Sequence, residues 1–394
     1  MAGDFAVTQC RDVREFAALE ADWRRLHRGC RTATPFQSHP WLYSWWVSYG
    51  TAGRLRLVLV RRAGRLVAAA PLMLAFRPLP VLVHLGGGIT DFCDVLLDDS
   101  CPDEAAAALV TGLAAAARTA VIDLREVRPG SAVERVLGAW PGPRRRLADS
   151  PCLELPAVPF PALLERLPAS GAQRARAKLR KLDALGVEGR AVGEDKVPAA
   201  VATLLRLHRL QWQGRGVTPE HLRSRFAEHL IRSARTMVRH GEAMMTEFRL
   251  DGRVVAADLT LMSDRLAGGY LYGAHPELRA RKVDVTAMLL RHCAEAAGAG
   301  GRDVLSLLRG NEPYKHHWRP DTVRNQRFLL ARRGLEPLLA LHAAGAAACD
   351  RVAGLADGSG QCEGSRQSRT GTQISRPSQL SIQSPRSSGP QSVG

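Results

Sequence analysis

The chain has 394 residues, 45% of them hydrophobic, and a formal net charge of +17 at pH 7. This length allows two domains of ordinary size, and no apolar run reaches the ~20 residues that a membrane-spanning helix needs. The charge suggests an anionic partner, but no nucleic-acid-binding motif accompanies it, so we expect no specific nucleic acid and no membrane span.

Cysteine usage and the start of the chain indicate the compartment. No two of the eight cysteines have the Cys-x-x-Cys spacing of a zinc or redox site, so we expect reduced thiols, no disulfide and no metal. The first dozen residues contain two acids and no apolar core, unlike a signal peptide. These features predict a soluble cytoplasmic protein.

The first half of the chain, residues 1–145, follows the order of an α/β domain. Two apolar runs within residues 55–74 are separated by a turn that contains glycine, which predicts a β-hairpin. The elements predicted after it are a strand at 81–85, a glycine-rich loop at 86–91, a helix at 103–117 and a strand at 120–124.

Residues 146–162 are rich in proline and are predicted to form a linker to the second half, residues 163–335. In the second half, helical periodicity comes first, a second hairpin follows, and strands then alternate with a helix. The predicted helices are 163–185, 201–212, 226–238 and 284–297, and the strands after the hairpin are 266–274, 303–308 and 323–331.

An internal repeat relates the two halves. Residues 64–74 read GRLVAAAPLML and residues 252–262 read GRVVAADLTLM, and each segment follows an apolar run and a turn. Repetition at this spacing predicts two copies of one α/β domain. The last segment, 350–394, shifts to Ser, Gly, Gln, Arg and Pro, and we expect it to be a disordered tail because it has too little apolar surface to bury.

Five segments of the chain resemble one family of transferases. The most specific is 308–318, LRGNEPYKHHW, in which a strand ends in Arg-Gly and Glu-x-Tyr-Lys and a Trp follow. Across residues 5–332 the chain is similar to the tandem Gcn5-related N-acetyltransferases (GNAT), in particular the BioF2-like or CelD-type branch, whose fold is similar to that of the Fem aminoacyltransferases. The other segments are 35–49 (PFQSHPWLYSWWVSY), 174–186 (RARAKLRKLDALG), 207–216 (LHRLQWQGRG) and 250–261 (LDGRVVAADLTL).

The resemblance implies two GNAT-like domains, 1–145 and 163–335, with mixed, mostly antiparallel sheets flanked by helices. The first domain is expected to be a degenerate copy that shapes the acceptor cleft. The implied activity is N-acyl transfer from acetyl-CoA or another acyl-CoA to an amine. The expected acceptor is a small molecule or a precursor of the cell envelope or of an exopolysaccharide.

The cofactor-binding candidates follow from the parent fold, in which a loop entering a helix holds the pyrophosphate with backbone N–H groups. The resemblance places Arg279, Arg281 and Lys282 in this loop. Lys282 and Asp284 stand where the family prefers glycine, so the loop departs from the family pattern. The alternative interpretation is a solvated basic loop.

Asp258, Tyr314 and His275 are the catalytic candidates. A carboxylate in an apolar strand needs a partner or a role, and burial would raise the pKa of Asp258 towards that of a general base. The resemblance makes Tyr314 the proton donor to the leaving thiolate, and His275 a proton relay. The alternatives are a solvent-facing or arginine-paired Asp258, a tyrosine packed beside Trp318, and a His-Pro turn.

The substrate-binding candidates lie on the tyrosine-rich strand and in the closing motif. An ammonium group in that motif would suit an anionic group of the acceptor or of the cofactor. The candidates are Tyr272, Arg309, Glu312, Lys315 and Trp318.

Two other functions stay open at this point. An aminoacyl-tRNA donor is favoured by the altered loop and by the basic helix face of Arg174, Lys178 and Lys181, which is otherwise a solvated surface. A carbohydrate-binding or scaffolding protein of polysaccharide assembly, without catalysis, is the third hypothesis.

Overall fold

The computed structural model describes residues 5–76, 79–213 and 218–358. Its first half has the element order expected from the sequence. The elements are β1 (Phe5–Cys10), α1 (Val13–Ala18), α2 (Glu20–Arg28), α3 (His39–Tyr49), β2 (Leu55–Arg62), β3 (Arg65–Phe76), β4 (Pro80–His84), β5 (Leu96–Leu97), α4 (Pro102–Ala116), β6 (Val121–Val127) and α5 (Ala132–Ala139).

The second half repeats this order after a long central strand and two helices. It ends in a long helix that packs against β6 of the first half and β13 of the second. The elements are β7 (Arg144–Pro156), α6 (Phe160–Glu165), α7 (Ala169–Ala184), β8 (Glu188–Ala191), α8 (Val197–Trp212), α9 (Ser224–His240), β9 (Ala243–Leu250), β10 (Arg253–Met262), β11 (Leu266–Ala274), α10 (Pro276–Ala280), α11 (Val285–Ala299), β12 (Val304–Arg309), β13 (Asp321–Leu330) and α12 (Glu336–Gly358).

All these strands belong to a single sheet. Its order is β1-β2-β3-β4-β6-β13-β7-β12-β11-β10-β9-β8, and the short β5 pairs with β3. Two pairs of neighbours are parallel, β4/β6 and β11/β12, and the other pairs of the described strands are antiparallel. The predicted fold class, tandem α/β units with mixed and mostly antiparallel pairing, is confirmed.

The repeated hairpins are confirmed as β2/β3 and β9/β10. In the first hairpin Val58 lies opposite Ala70, and in the second Thr246 lies opposite Asp258. The carboxylate of Asp258 therefore occupies the position that a small apolar side chain occupies in the first copy.

The two halves exchange strands at the centre of the sheet. β13, from the end of the second half, lies between β6 and β7, and β7 lies between β13 and β12. The expectation of a linker at 146–162 is therefore wrong for most of its residues, which form β7. Prolines suggested a linker, but Pro156 ends the strand and Pro151 lies opposite Arg324 at a register shift, where a ladder tolerates proline.

One hydrophobic core runs through both halves. It contains Trp23, Trp41 and Leu109 of the first half together with Leu204 and Phe226 of the second. A second cluster lies under α7 and α11 on the other face of the second-half strands. Because the halves share a core and a sheet, the division into domains at 1–145 and 163–335 stays a prediction.

Helix α12 corrects the expected start of the tail. It extends to Gly358, so residues 350–358 are helical. The alanine-rich sequence of the preceding part of α12 favours a helix. The rest of the predicted tail, 359–394, lies outside the described residues. Within the described ranges, none of the helices combines the length and the apolar composition needed to cross a bilayer.

Candidate functional site

The sheet opens between the parallel strands β11 and β12. They are paired over three residues of each strand, and the last pair is Gly268 with Ser306. Beyond this pair Leu308 takes a left-handed conformation with φ of 60°, and Arg309 pairs with β7 instead. The rest of β11 has no pairing with β12, so a gap separates the two strands.

A bulge in β11 connects this gap to the first half. The register between β10 and β11 shifts so that Tyr270 is an extra residue. Its hydroxyl donates a hydrogen bond of 2.8 Å to the carbonyl oxygen of Ile89, in the glycine-rich loop 86–91. Its ring packs edge-on against Trp41 with ring centroids 5.0 Å apart. The glycine-rich loop therefore lies beside the opening.

Asp258 lies on β10, which borders β11 on the side away from the gap. Its side chain is 3% exposed, and its carboxylate accepts a hydrogen bond of 2.7 Å from the Thr260 hydroxyl. A Cβ at the exposed Gly269 would lie 3.8 Å from Asp258 Oδ1, so the carboxyl lies beneath this part of β11. Burial raises the pKa of Asp258 to about 7, because the hydrogen bond from Thr260 compensates little of the lost solvation. The group can take up or release a proton near neutral pH.

One tyrosine lies opposite this carboxyl, and a second interacts with the first. Tyr272 is the direct cross-strand partner of Asp258. Burial raises the pKa of Tyr272, and the charges of Glu312 and Asp258 add to this effect, against a hydrogen bond with Gln211. Partial burial, together with Tyr272 and Glu312, raises the pKa of Tyr314 as well. Both hydroxyls are therefore protonated at neutral pH and able to donate.

The segment after β12 is a tight loop that presents Tyr314. Gly310 has φ of 108°, and a Cβ there would come within 2.5 Å of the Glu312 carboxylate, so glycine is required. Lys315 is 7% exposed, and its ammonium donates to the carbonyl oxygen of Arg309 at 2.8 Å and pairs with Glu312 at 2.9 Å. Lys315 and Glu312, both predicted to bind substrate, thus bond to each other within the loop, and their predicted substrate contacts stay a prediction.

Arg309 and Trp318, also predicted to bind substrate, anchor this loop. Arg309 pairs with Asp91 at 2.9 Å and with Glu126 at 2.8 Å, two carboxylates of the first half. The ring of Trp318 packs against Phe160 with centroids 5.5 Å apart. Both side chains have protein partners and hold Tyr314 beside the gap, so we assign them to positioning.

His275 is not brought to this cluster by any contact among the described residues. It is the N-cap of α10, where its Nδ1 accepts a hydrogen bond of 3.3 Å from the backbone N–H of Glu277. This geometry matches the alternative interpretation, a His-Pro turn that begins a helix, and a proton relay at His275 stays a prediction.

Comparison with known proteins gives one matching domain model and several similar folds. Residues 169–316 match the model of the acetyltransferase (GNAT) domain. Among solved structures, FemX is similar with a TM-score of 0.58 at 11% identity, covering 84% of this chain and 99% of that one. A conserved protein of unknown function from Bacteroides thetaiotaomicron (TM-score 0.52, 12% identity, 83% and 100% covered) and L-PGS from Bacillus licheniformis (0.50, 10%, 83% and 94%) are similar as well. No curated protein matches the chain.

The chain has a tandem GNAT-like fold. The family model covers the second half, which carries the gap, Asp258 and Tyr314. The similar solved structures match nearly their whole length, which extends the likeness of fold to both halves. The expected resemblance to Fem transferases is confirmed at the level of the fold.

The segment before α11, where the resemblance predicts a pyrophosphate loop, departs from the GNAT pattern. Asp284 is the N-cap of α11 and accepts a hydrogen bond of 3.1 Å from the N–H of Ala287 and one of 2.6 Å from Thr286. Its carboxylate also pairs with Lys178 at 2.7 Å, and this bonding outweighs burial and lowers the pKa of Asp284. The helix N-terminus therefore already holds an anion, supplied by the chain itself.

The basic residues predicted for this loop have different surroundings. Arg281 pairs with Glu277 one turn earlier at 2.7 Å. Lys282 takes a left-handed conformation with φ of 56°, which glycine would adopt more easily. Arg279 is exposed. Within the described residues, no group of three or more His, Cys, Asp or Glu side chains could hold a metal ion.

Sequence reasoning missed Asp91, Glu126 and Tyr270. Asp91 ends the glycine-rich loop, which was a visible signal that the loop has a defined conformation. Glu126 offers no local signal, because its partner Arg309 is far away in the sequence. Tyr270 could have been found only from the bulge, which depends on the register of two strands.

Proposed function

We propose that this chain is an N-acyltransferase that transfers an acyl group from an activated carrier to an amine. The observation that carries the proposal is the buried Asp258 carboxyl, which lies beneath β11 at Gly269, the first residue beyond the pairing with β12, and has its pKa raised to about 7. A base of this strength can accept a proton from an ammonium or amine nucleophile at neutral pH. The match to a GNAT domain supports the same reaction class.

The proposed steps use the chain's own residues. The amine nitrogen attacks the acyl carbon while the Asp258 carboxylate takes one of its protons. The new C–N bond forms as the bond from the acyl carbon to the carrier breaks. The Tyr314 hydroxyl, held beside Tyr272, donates a proton to the departing group, and solvent returns that proton because Tyr314 is 38% exposed.

Acyl-CoA is the donor that the matched acetyltransferase domain favours. The residues before α11 do not fit the pyrophosphate cradle of the parent fold, because the Asp284 carboxylate occupies the helix N-terminus. The steps above therefore involve no contact with the nucleotide part of the donor. A cell-envelope or exopolysaccharide precursor remains the expected acceptor.

Aminoacyl-tRNA is a second candidate donor, and the filled helix N-terminus favours it. The neighbouring helix α7 presents Arg174, Arg180 and Lys181 to solvent, and none of the three has an acidic partner among the described residues. These exposed positive charges suit the phosphate backbone of a tRNA. The likeness to FemX extends over 84% of this chain.

The test is a transfer assay with the full-length protein and a panel of amines. Acetyl-CoA, a longer acyl-CoA and aminoacyl-tRNA are supplied separately, and the acylated amine is detected by mass spectrometry. We expect turnover with one donor class and a loss of roughly 10² to 10⁴ in rate for Asp258→Asn, because a general base contributes about that factor.

Asp264→Asn is the matched control, since Asp264 is an exposed carboxylate just after β10. It should leave the rate unchanged. Absence of product with every donor, or full activity of Asp258→Asn, would contradict the proposal. Saturable binding of a polysaccharide without any transfer would instead support the scaffold hypothesis.

A further inference from the structure

A cavity of about 200 Å³ lies away from the Asp258 site, between the two halves. It is bounded by the first residues of β11 and β12, Leu266 and Val304, and by the loop that follows β6. Tyr272 lies near the other end of β11. The cavity is therefore separate from the proposed catalytic cluster, and the inference below does not depend on acyl transfer.

Three hydrogen-bond donors at this cavity have no partner among the described residues. Ser131 is 7% exposed, and its hydroxyl is buried and unpaired. The Nε of Arg128 is also buried and unpaired, although a terminal nitrogen of the same guanidinium bonds to Glu154. Arg31 is exposed at the rim, and its side chain makes no ion pair or hydrogen bond within the described part of the chain. An unpaired buried donor costs about 1–3 kcal/mol, so a ligand would relieve a real deficit.

The carboxylates at the same cavity already have hydrogen-bond or ion-pair partners. The Asp94 carboxylate accepts hydrogen bonds from the backbone N–H groups of Val95, Ala132 and Val133, at 2.8, 3.0 and 2.9 Å. This arrangement caps α5 and explains why Ser131, the N-cap residue, makes no capping bond. Asp303 pairs with Arg265. What remains is a set of donors, among which Arg31 carries a positive charge without an acidic partner in the described part of the chain.

The cavity also has an apolar wall. The guanidinium of Arg128 lies over the ring of Phe92, 5.2 Å from its centroid. Pro129, Leu266 and Val304 complete this side. A guanidinium that is fixed on a ring is held ready for a bidentate partner.

We propose that this cavity binds a small oxyanion, a carboxylate or a phosphate, through the donors of Arg31, Arg128 and Ser131. A ligand that offers acceptors only suits a cavity whose unpaired groups are donors. Charge-assisted hydrogen bonds from arginine to such groups are among the stronger ones in proteins. The volume limits the ligand to a small molecule or to the head group of a larger one.

The experiment is isothermal titration of the full-length protein with inorganic phosphate and, separately, with butyrate, at low ionic strength. We expect saturable binding of at least one probe, weakened roughly tenfold by Arg31→Gln and severalfold by Ser131→Ala. Neither substitution removes a side-chain hydrogen bond made by the described residues, so folding should be retained. Arg118→Gln, which removes an exposed arginine elsewhere, should not change the affinity.

The two probes distinguish the head group, since phosphate measures the charge contacts alone and butyrate adds the apolar wall. No saturable binding of either probe would overturn the proposal. Equal affinities for wild type, Arg31→Gln and Ser131→Ala would overturn it too. A loss in Arg118→Gln as large as that in Arg31→Gln would indicate a general charge effect instead of this site.

Discussion

The two parallel strand pairs of this molecule, β4/β6 and β11/β12, have the same geometry and different chemistry. Each is joined by three residue pairs, and the last pairs are Val83 with Asp123 and Gly268 with Ser306. In the first half Asp123 is bonded by Arg327 at 2.8 and 2.7 Å. In the second half a glycine and a serine occupy the matching positions. The last residue of β6 in this pairing is therefore held by an ion pair with β13, and its counterpart on β12 is an uncharged serine.

The pKa values of Asp123 and Asp258 are shifted in opposite directions. Burial alone would raise the pKa of Asp123, but hydrogen bonds from His342 and Arg327 outweigh it and hold this pKa well below its ordinary value. Asp258 has only a hydroxyl as partner, and burial raises its pKa to about 7. The same fold thus supports a structural carboxylate in one copy and a candidate base in the other, because a few partners differ.

Replacing Asp123 is the most direct test of this comparison. Asp123→Asn leaves Arg327 buried without its charge partner, and such a loss typically costs about 3–5 kcal/mol. We expect a fall of this size in the free energy of unfolding, measured by urea denaturation. Asp103→Asn, which removes an exposed ion pair with Arg135, should cost less than about 1 kcal/mol. Equal effects of the two substitutions would show that Asp123 is not a structural ion pair.

The pH dependence of stability sharpens the comparison at Asp258. Below about pH 4 this carboxyl is neutral in both the folded and the unfolded chain. Between pH 4 and 7 the unfolded chain ionises while the folded one keeps its proton, so stability is lost as the pH rises. Asp258→Asn avoids this loss and should exceed wild type by up to about 4 kcal/mol above pH 7, with the difference vanishing near pH 4.

Urea denaturation of both proteins between pH 4 and 8 measures this difference. Comparing the two at each pH removes the contributions of other buried acids, among them Asp94 and Glu242, whose pKa values burial also raises to about 7. A difference that does not change with pH would mean that Asp258 ionises normally in the folded chain, and it would lose its assignment as the base.

Much of this fold follows from local sequence patterns. The repeat at 64–74 and 252–262 placed both hairpins correctly, and helical periodicity placed α11 within a few residues. The central strand β7 could not be predicted, because its partners β12 and β13 come from far away in the chain and its prolines indicate a linker. Local patterns report propensity, whereas strand order depends on contacts between distant segments.

The site was predictable to a similar degree. Asp258 could be singled out because a carboxylate in an apolar strand is costly, and the structure places it opposite Tyr272, which in turn interacts with Tyr314. The roles of Lys315 and Arg309 could not be anticipated, since their partners depend on how the loop folds back and on carboxylates of the other half. Charge in a sequence shows that a partner is needed, and the fold decides whether that partner is a ligand or the protein itself.

The smallest expected effect concerns the two tyrosines, and it separates positioning from proton donation. Tyr314→Phe should lower the transfer rate roughly 10²-fold with little change in stability, since its hydroxyl is partly exposed and its ring is retained. Tyr43→Phe, which alters a first-half tyrosine stacked on His39, should leave the rate unchanged. A pH–rate profile that loses its alkaline limb in Tyr314→Phe would identify Tyr314 as the acid. If Tyr272→Phe has the larger effect instead, the proton donor is the tyrosine that lies directly opposite Asp258, and the loop after β12 serves only to hold it.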